Sequence, residues 1–508
     1  MQMPLGTFSP SVKLAFVSAS RNCFPRSLSE ARMGTVLKAC ADMGIEPFVP
    51  EGDCRIIESK EHAERAAAQA VAAGCDAAVL YLGNFSPEIE DAAFVKAFPG
   101  TVMLIAAAEE SGDSLAQGRG DALCGLLSAT LALSKRNLMS RVYIPEFPVL
   151  DASGAAAAVA RFHDVVAVVK GMRSSTLGLF GPRPRDFETC NYNIASLASM
   201  GVEVEELGFF DLVNEIKRVE KEEAGGVDAV LAAMEREMPT MPKGDFGRRL
   251  AAYERAVLNL RERLGLSGMT SQCWSEQEYA LKHVPCYINA RMAARGFPIA
   301  CENDAYSLAA ELLAQYASGD SVAILDVNHS IPQDLHAKLS KYPNEDLVGL
   351  FHCGNTDPRR LNGNAMKHQV IMKRMMEPEG EPDITRGTVE GAIAASPITV
   401  VQVHGVGDKL RAYVCEGQFL DLDPRTFGST GTAYLPGFGR FYRHVLLGRF
   451  HHHAAIAFAR CGAVLFDALR LLGIEEIYSP LPEGVRYPGE NPFATGFAAA
   501  ELRETARV

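Results

Sequence analysis

Strand-length apolar runs alternate with helix-length segments through the first three hundred residues, and this alternation constrains the fold more than any other feature. Residues 12–18 (VKLAFVS), 75–82 (CDAAVLYL) and 101–107 (TVMLIAA) are short and apolar on both faces. Runs of that kind fit strands covered on both sides. Segments with helical spacing follow at 27–43, 114–134 and 154–171. A second round starts at Thr176, where TLGLFG leads into a loop with two prolines, a helix to Met200 and a strand over 202–207. Residues 214–264 are rich in Glu, Arg, Lys, Ala and Leu and are expected to be mostly helical. Strands are expected at 268–274 and 297–301, and a helix at 304–317. Repeated alternation of this sort predicts parallel sheets flanked by helices.

The last third differs. Strands at 322–327 and 347–352 are followed, between about 366 and 447, by short strands with turn glycines: GAIAAS, ITVVQVHG and LRAYVCEG. This pattern predicts an antiparallel sheet or small barrel. Residues 376–383 (MEPEGEPD) are expected as an exposed loop, and 451–472 as a long helix. The fold class is therefore α/β: two Rossmann-like parallel-sheet domains, over 1–172 and 173–318, followed by a β-rich, barrel-like C-terminal domain over 319–508. At 508 residues the chain is too long for one core.

Composition excludes several classes. The formal charge of −12 argues against nucleic acid and against anionic membranes as partners. No run of about 18 apolar residues suggests a span, the alanine-rich 155–170 stretch being interrupted by Arg161, His163 and Asp164. The N-terminus lacks the basic and apolar regions of a signal peptide. Twelve cysteines form no CxxC pair, so they are expected as free thiols in a reducing cytoplasm. Neither a GxGxxG after the first strand nor a GxxxxGK[ST] is present, so nucleotide cofactors are not supported.

The segment 271–304, SQCWSEQEYALKHVPCYINARMAARGFPIACEND, places acids after two consecutive strands. Glu276 and Glu278 follow the first, Glu302 and Asp304 the second. Ligands of open α/β sheets bind at the carboxyl ends of strands. Facing carboxylates there suit a divalent cation and can also move protons. The plainer reading is that they are solvated loop acids, with Asp304 a helix cap. His451, His452 and His453 open the last expected helix; adjacent helical residues point about 100° apart, so the three cannot all bind one ion, though one could be a ligand. A solvated helix start explains them too. His352 and His444 are further histidine candidates. FHCGNTDPRR, at 351–360, offers His352, Asn355, Arg359 and Arg360 to hydroxyls or an anion, or is a strand-end turn with solvated arginines. Arg21 and Arg26 follow the first strand, as ligand groups or as surface charge.

In order and spacing, QCWSE, then ACEND opening a helix, then FHCGN and HHHAAIAFARCGAVLFDALRLLGI resemble the L-fucose isomerase and L-arabinose isomerase superfamily. The resemblance covers nearly the whole chain. It implies a metal-dependent aldose–ketose isomerase acting on a pentose or deoxyhexose-type sugar through a cis-enediol. It implies one divalent cation, Mn2+ or else Mg2+ or Co2+, held by Glu276, Asp304 and His453. Glu276 and Asp304 are then the acid/base pair; Glu278 and Glu302 are their rivals. Arg21, Gln272, Trp274, His352 and Asn355 are implied at the substrate. The resemblance also implies a homo-oligomer, a hexamer, with active sites shared between subunits. A sugar-binding protein without catalysis and a metal-dependent aldolase are the alternatives.

Overall fold

A computed structural model describes residues 2–480, 487 and 489–494. It divides into two compact units, residues 11–167 and residues 1–10 with 168–508. The expected boundary at 172 lies close to this division. The one at 318 separates two sheets inside a single unit.

The N-terminal unit holds a parallel sheet of β1 (Leu14–Ala19), β2 (Ile56–Ile57), β3 (Ala77–Leu82), β4 (Thr101–Ala107), β5 (Val142–Tyr143) and β6 (Val149–Leu150). The order is β2-β1-β3-β4-β5, with β6 also paired to β4. Every residue of β1 and β3 is buried, as continuous apolar runs in a doubly covered sheet require. Helices start on local signals: Ser59 accepts from the His62 N–H at 3.2 Å and caps Lys60–Ala72. Of the helix Ala152–Arg173, Ala155, Val159 and Phe162 lie in this unit's core. Its length and composition would suit a membrane span, yet half of its most apolar window is buried in protein.

The second unit opens with a four-stranded parallel sheet, β7 (Thr176–Phe180), β8 (Glu203–Leu207), β9 (Gly268–Ser271) and β10 (Ile299–Cys301), ordered β10-β9-β7-β8. The charge-rich edge strand β8 (EVEEL) is mostly solvent-facing, which blunts edge pairing. The remaining strands are β11 (Val322–Ser330), β12 (Leu347–His352), β13 (Leu361–His368), β14 (Arg386–Ile393), β15 (Ser396–Val406), β16 (Lys409–Phe419), β17 (Ser429–Tyr434), β18 (His453–Ala457) and β19 (Glu476–Tyr478). Six of them close on themselves in the order β17-β12-β11-β18-β15-β16, every neighbouring pair antiparallel, with β16 returning to β17. The barrel-like reading of the last third therefore holds.

One element ties the parallel sheet to the barrel. The helix Ala305–Ser318 is buried at every position from Ala305 to Tyr316. It packs on β7, β9 and β10 on one side and on β11, β15 and β18 on the other. An all-round buried helix is the signature of a core element shared by two layers.

The expected helix over 451–472 is corrected. Residues 453–457 form β18, paired to β11 and β15, and the helix is only Gly462–Leu471. A short run such as HAAIA, buried on both faces, has no periodicity that separates strand from helix. The flanking barrel strands decide it.

Candidate metal and sugar site

The site forms where β9 and β10 end beside β18. After β10 the chain turns through Glu302 and Asn303, both with φ of 59°. Two consecutive non-glycine residues in the left-handed region are unfavourable on their own, so the surroundings must hold them. The Asn303 side chain is clamped between the Thr270 hydroxyl and the Gly181 carbonyl, and its backbone N–H donates to Ser271 O at 3.1 Å. This turn places Glu302 and Asp304 on either side of His453.

His453 is 1% exposed and sits between the two acids. Its Nδ1 lies 2.8 Å from Asp304 Oδ2 and its Nε2 lies 2.7 Å from Glu302 Oε2. Asp326 Oδ1, from the neighbouring strand β11, is 3.5 Å from the same Nε2. Both Asp304 oxygens are occupied: Oδ1 accepts from the Ser307 backbone N–H at 3.0 Å, and Oδ2 accepts from the Ser307 hydroxyl at 2.6 Å as well as from His453. By contrast, Glu278 Oε2 and His352 Nδ1 are buried without a hydrogen-bond partner, whereas Glu302 Oε2 and Asp326 Oδ1 lie against His453 Nε2. Buried polar atoms normally find partners, so the orphaned atoms of His352 and of Glu278, which lies within electrostatic reach of Glu302, are ones that a bound ion could satisfy. Three ligand sets with donor atoms within 4.8 Å of one another all share His453: with Glu302 and His452, with Asp326 and His352, and with Cys190 and Asp304. Carboxylate oxygens with one imidazole nitrogen form the donor set of a hard or borderline divalent cation.

The electrostatics agree. Burial pushes the Glu278 carboxyl up to about 8, and the Glu302 charge adds to it. Burial likewise lifts Asp326 to about 7 against the pull of His453. Burial also opposes a charge on Glu302, yet His453 outweighs it and holds that carboxyl below its usual range. Burial opposes a charge on His453 in turn, but Glu302 and the Asp304 hydrogen bond hold the imidazole well above its usual range. One imidazolium thus faces three carboxylates, Glu302, Asp304 and Asp326, while burial shifts Asp326 and Glu278 towards their protonated forms.

The resemblance implies Glu276, with Glu278 as its rival, and the two differ in burial. Glu276 is exposed at the start of the helix Glu276–Leu281, while Glu278 is 1% exposed. The histidines alternate as a strand directs: His451 and His453 are both buried against Asp304, and His452 is half-exposed. His352 is 2% exposed, its ring centroid 6.0 Å from that of His453. Gln272 is buried with Oε1 unpartnered, and Asn355 is buried with Oδ1 unpartnered while Nδ2 donates to Cys301 Sγ at 3.6 Å. Trp274 is half-buried, its ring 5.3 Å from Phe187, which is 6.4 Å from His452.

Other candidates are engaged elsewhere. Arg359 pairs with Asp357, Arg360 with Asp320, and Arg26 with Glu30 and Glu58. His444 is an exposed residue of the helix Phe438–Leu447. Arg21 lies in the N-terminal unit, paired with Glu88, its guanidinium 4.2 Å from the Phe85 ring centroid. Sequence reasoning missed Asp326, Phe187 and Cys190. A lone aspartate inside VAILDV was a usable signal for the first; nothing local marks the other two.

Residues 15–173 match the family model described as fucose/sulfoquinovose isomerase, N-terminal domain, and residues 350–479 match the one described as L-fucose isomerase, C-terminal domain. The stretch between them, with Glu278 and Glu302, lies outside both matches. No curated protein matches the chain.

Proposed function

This chain belongs to the fucose isomerase family, and from that premise we propose that it is a cytoplasmic, divalent-metal-dependent aldose–ketose isomerase whose cation is held by Glu278, Glu302 and His453. What supports the metal assignment is that the possible ligand groups all share His453, with Glu302 Oε2 at 2.7 Å and Asp326 Oδ1 at 3.5 Å from its Nε2, together with the buried Glu278 Oε2 that has no hydrogen-bond partner. Asp304 differs from them because both its oxygens are taken. The resemblance implies Glu276 and Asp304 beside His453; this proposal takes their rivals Glu278 and Glu302 instead.

A divalent cation bound there would polarise the sugar carbonyl as a Lewis acid. The protein's own groups supply the rest. An aldose becomes its ketose when a proton leaves C2 and one reaches C1, while a proton leaves the C2 hydroxyl and one reaches the former aldehyde oxygen. Glu278, with its carboxyl lifted to about 8, is suited to give and take protons near neutral pH. Asp326, lifted to about 7 and 3.5 Å from His453 Nε2, is the second proton carrier. Gln272 and Asn355 present unpartnered amide oxygens to sugar hydroxyls. Trp274 and Phe187 offer ring faces to a C–H face.

The test is product analysis. Chelator-treated protein supplied with Mn2+ is incubated with a panel of pentoses and deoxyhexoses and followed by NMR. A ketose is the expected product. Two smaller fragments would indicate an aldolase, no product a binding protein, and full turnover in rigorously metal-free protein would refute the metal assignment.

A further inference from the structure

In the N-terminal unit, a fully buried acid grips the loop that follows β3. Asp91 is 0% exposed and sits in the first turn of the helix Glu88–Ala97. Both its oxygens close on one hydroxyl, Oδ1 and Oδ2 lying 2.6 and 2.5 Å from Ser86 Oγ. A hydroxyl has one proton to give. Two contacts this short are both hydrogen bonds when the acid carries a proton of its own and returns it to Ser86 Oγ. Burial favours that state and lifts the Asp91 carboxyl to about 8, with Glu90 and Glu88 adding to the shift and Ser86 and Arg21 opposing it. The gripped segment is packed from two further sides. A Cβ on Gly83 would stand 2.5 Å from Ser29 Oγ of the helix Arg26–Asp42. One on Gly125 of the helix Ala122–Ser134 would stand 2.9 Å from the Ser86 nitrogen. Residues 83–86 therefore have little room to shift.

That same segment holds Arg21. Phe85 O accepts from Arg21 Nε at 3.1 Å, and Ser86 O accepts from Nε at 3.2 Å and from Nη2 at 3.0 Å. Asn84 Oδ1 accepts from the Arg21 backbone N–H at 3.0 Å. Glu88 pairs with Nη2, and the Phe85 ring lies against the guanidinium. Among the described residues, Nη1 is the guanidinium nitrogen without a partner. We propose that Asp91, acting through Ser86, is a positioning residue for Arg21. It fixes the loop whose carbonyls hold Nε and Nη2, so that Nη1 alone is presented to a sugar hydroxyl. This rests on the isomerase reading above, with Arg21 at the substrate, and extends it to a residue that touches no sugar. Donors held in place before the ligand arrives do not have to be ordered on binding.

The experiment compares full-length Asp91→Leu, Asp91→Asn, Ser86→Ala and Arg21→Ala with wild type, all supplied with Mn2+. One readout is KM and kcat for the sugar turned over fastest. The other is the rate at which phenylglyoxal, a dicarbonyl that attacks unrestrained guanidinium groups, modifies Arg21, followed by mass spectrometry of its peptide. Melting temperatures are recorded in parallel. Asp91→Leu and Ser86→Ala are expected to raise KM about 3–10-fold, the loss of one ordered hydrogen bond, with a smaller change in kcat. Both are expected to label faster at Arg21 than wild type. Asp91→Asn is expected to match wild type in both readouts, because its amide can donate to Ser86 Oγ and accept from it. If Asp91→Leu fails to fold, Ser86→Ala alone carries the same expectation. Folded Asp91→Leu and Ser86→Ala proteins with wild-type KM and labelling overturn the proposal, as does an Asp91→Asn protein as impaired as Asp91→Leu. An Arg21→Ala protein with wild-type KM overturns the presentation of Nη1 to the sugar. A wild-type protein that turns over no sugar refutes the isomerase reading instead, and the labelling rates then decide whether Asp91 positions Arg21.

Discussion

Glu278 is the residue where chemistry and stability pull hardest against each other. A free glutamate titrates near about 4.3, and in the metal-free fold this one is lifted to about 8. Between those values the folded state keeps a proton that the unfolded chain has released, so stability falls as pH rises. Its contribution is fully present below the unfolded value and is lost as pH climbs through about 8. Glu278→Gln never ionises. The metal-free variant is expected to melt above wild type at pH 8, with the gap closing towards pH 4, as read by calorimetry. Its turnover is expected to fall by about 10²–10⁴-fold, while Glu276→Gln stays close to wild type. A Glu276 variant that loses activity while the Glu278 variant keeps it would reverse the assignment. The choice between the two acids was not legible in the sequence. Residues two apart on a helix point to opposite sides, and which side faces inward depends on where the helix packs.

At the scale of elements, the barrel seam is the most exacting contact. Gly417 on β16 lies where that strand meets β17, in the register Gln418 to Tyr434. A Cβ on Gly417 would stand 2.2 Å from the Tyr434 carbonyl oxygen, and backbone cannot swing aside as a side chain would. Gly417→Ala is expected to cost about 1–3 kcal/mol, seen as a lower denaturant midpoint with the slope unchanged; an unaltered midpoint would mean the seam is slack. The strands themselves were readable from their alternation and turn glycines, as β14, β15 and β16 show. Their closure was not, since it depends on pairing between segments far apart in sequence. The same holds for HAAIA, where tertiary neighbours alone separate strand from helix.

For the whole molecule, the alternating first half announced two parallel sheets, and these are present. What sequence could not supply was that one buried helix fuses the second sheet to the barrel, because Ala305–Ser318 looks like any apolar helix until both its faces are covered. Assembly is argued at this scale too. The hexamer with shared sites that the resemblance implies would bring Arg21 to the sugar of another copy. Mixing Arg21→Ala with Glu278→Gln subunits under exchange conditions is expected to restore part of the activity that each lacks alone. A monomer by light scattering would dispose of the idea. The closed ring of strands has a kinetic consequence. β18 has a partner on each side, so His453 stands on a strand that cannot fray from an edge. Glu278 hangs instead on a six-residue helix and Glu302 on a turn. Release of a cation bound as proposed would then be timed by the carboxylate side, and the amide hydrogens of residues 453–457 are expected to exchange only when the barrel opens.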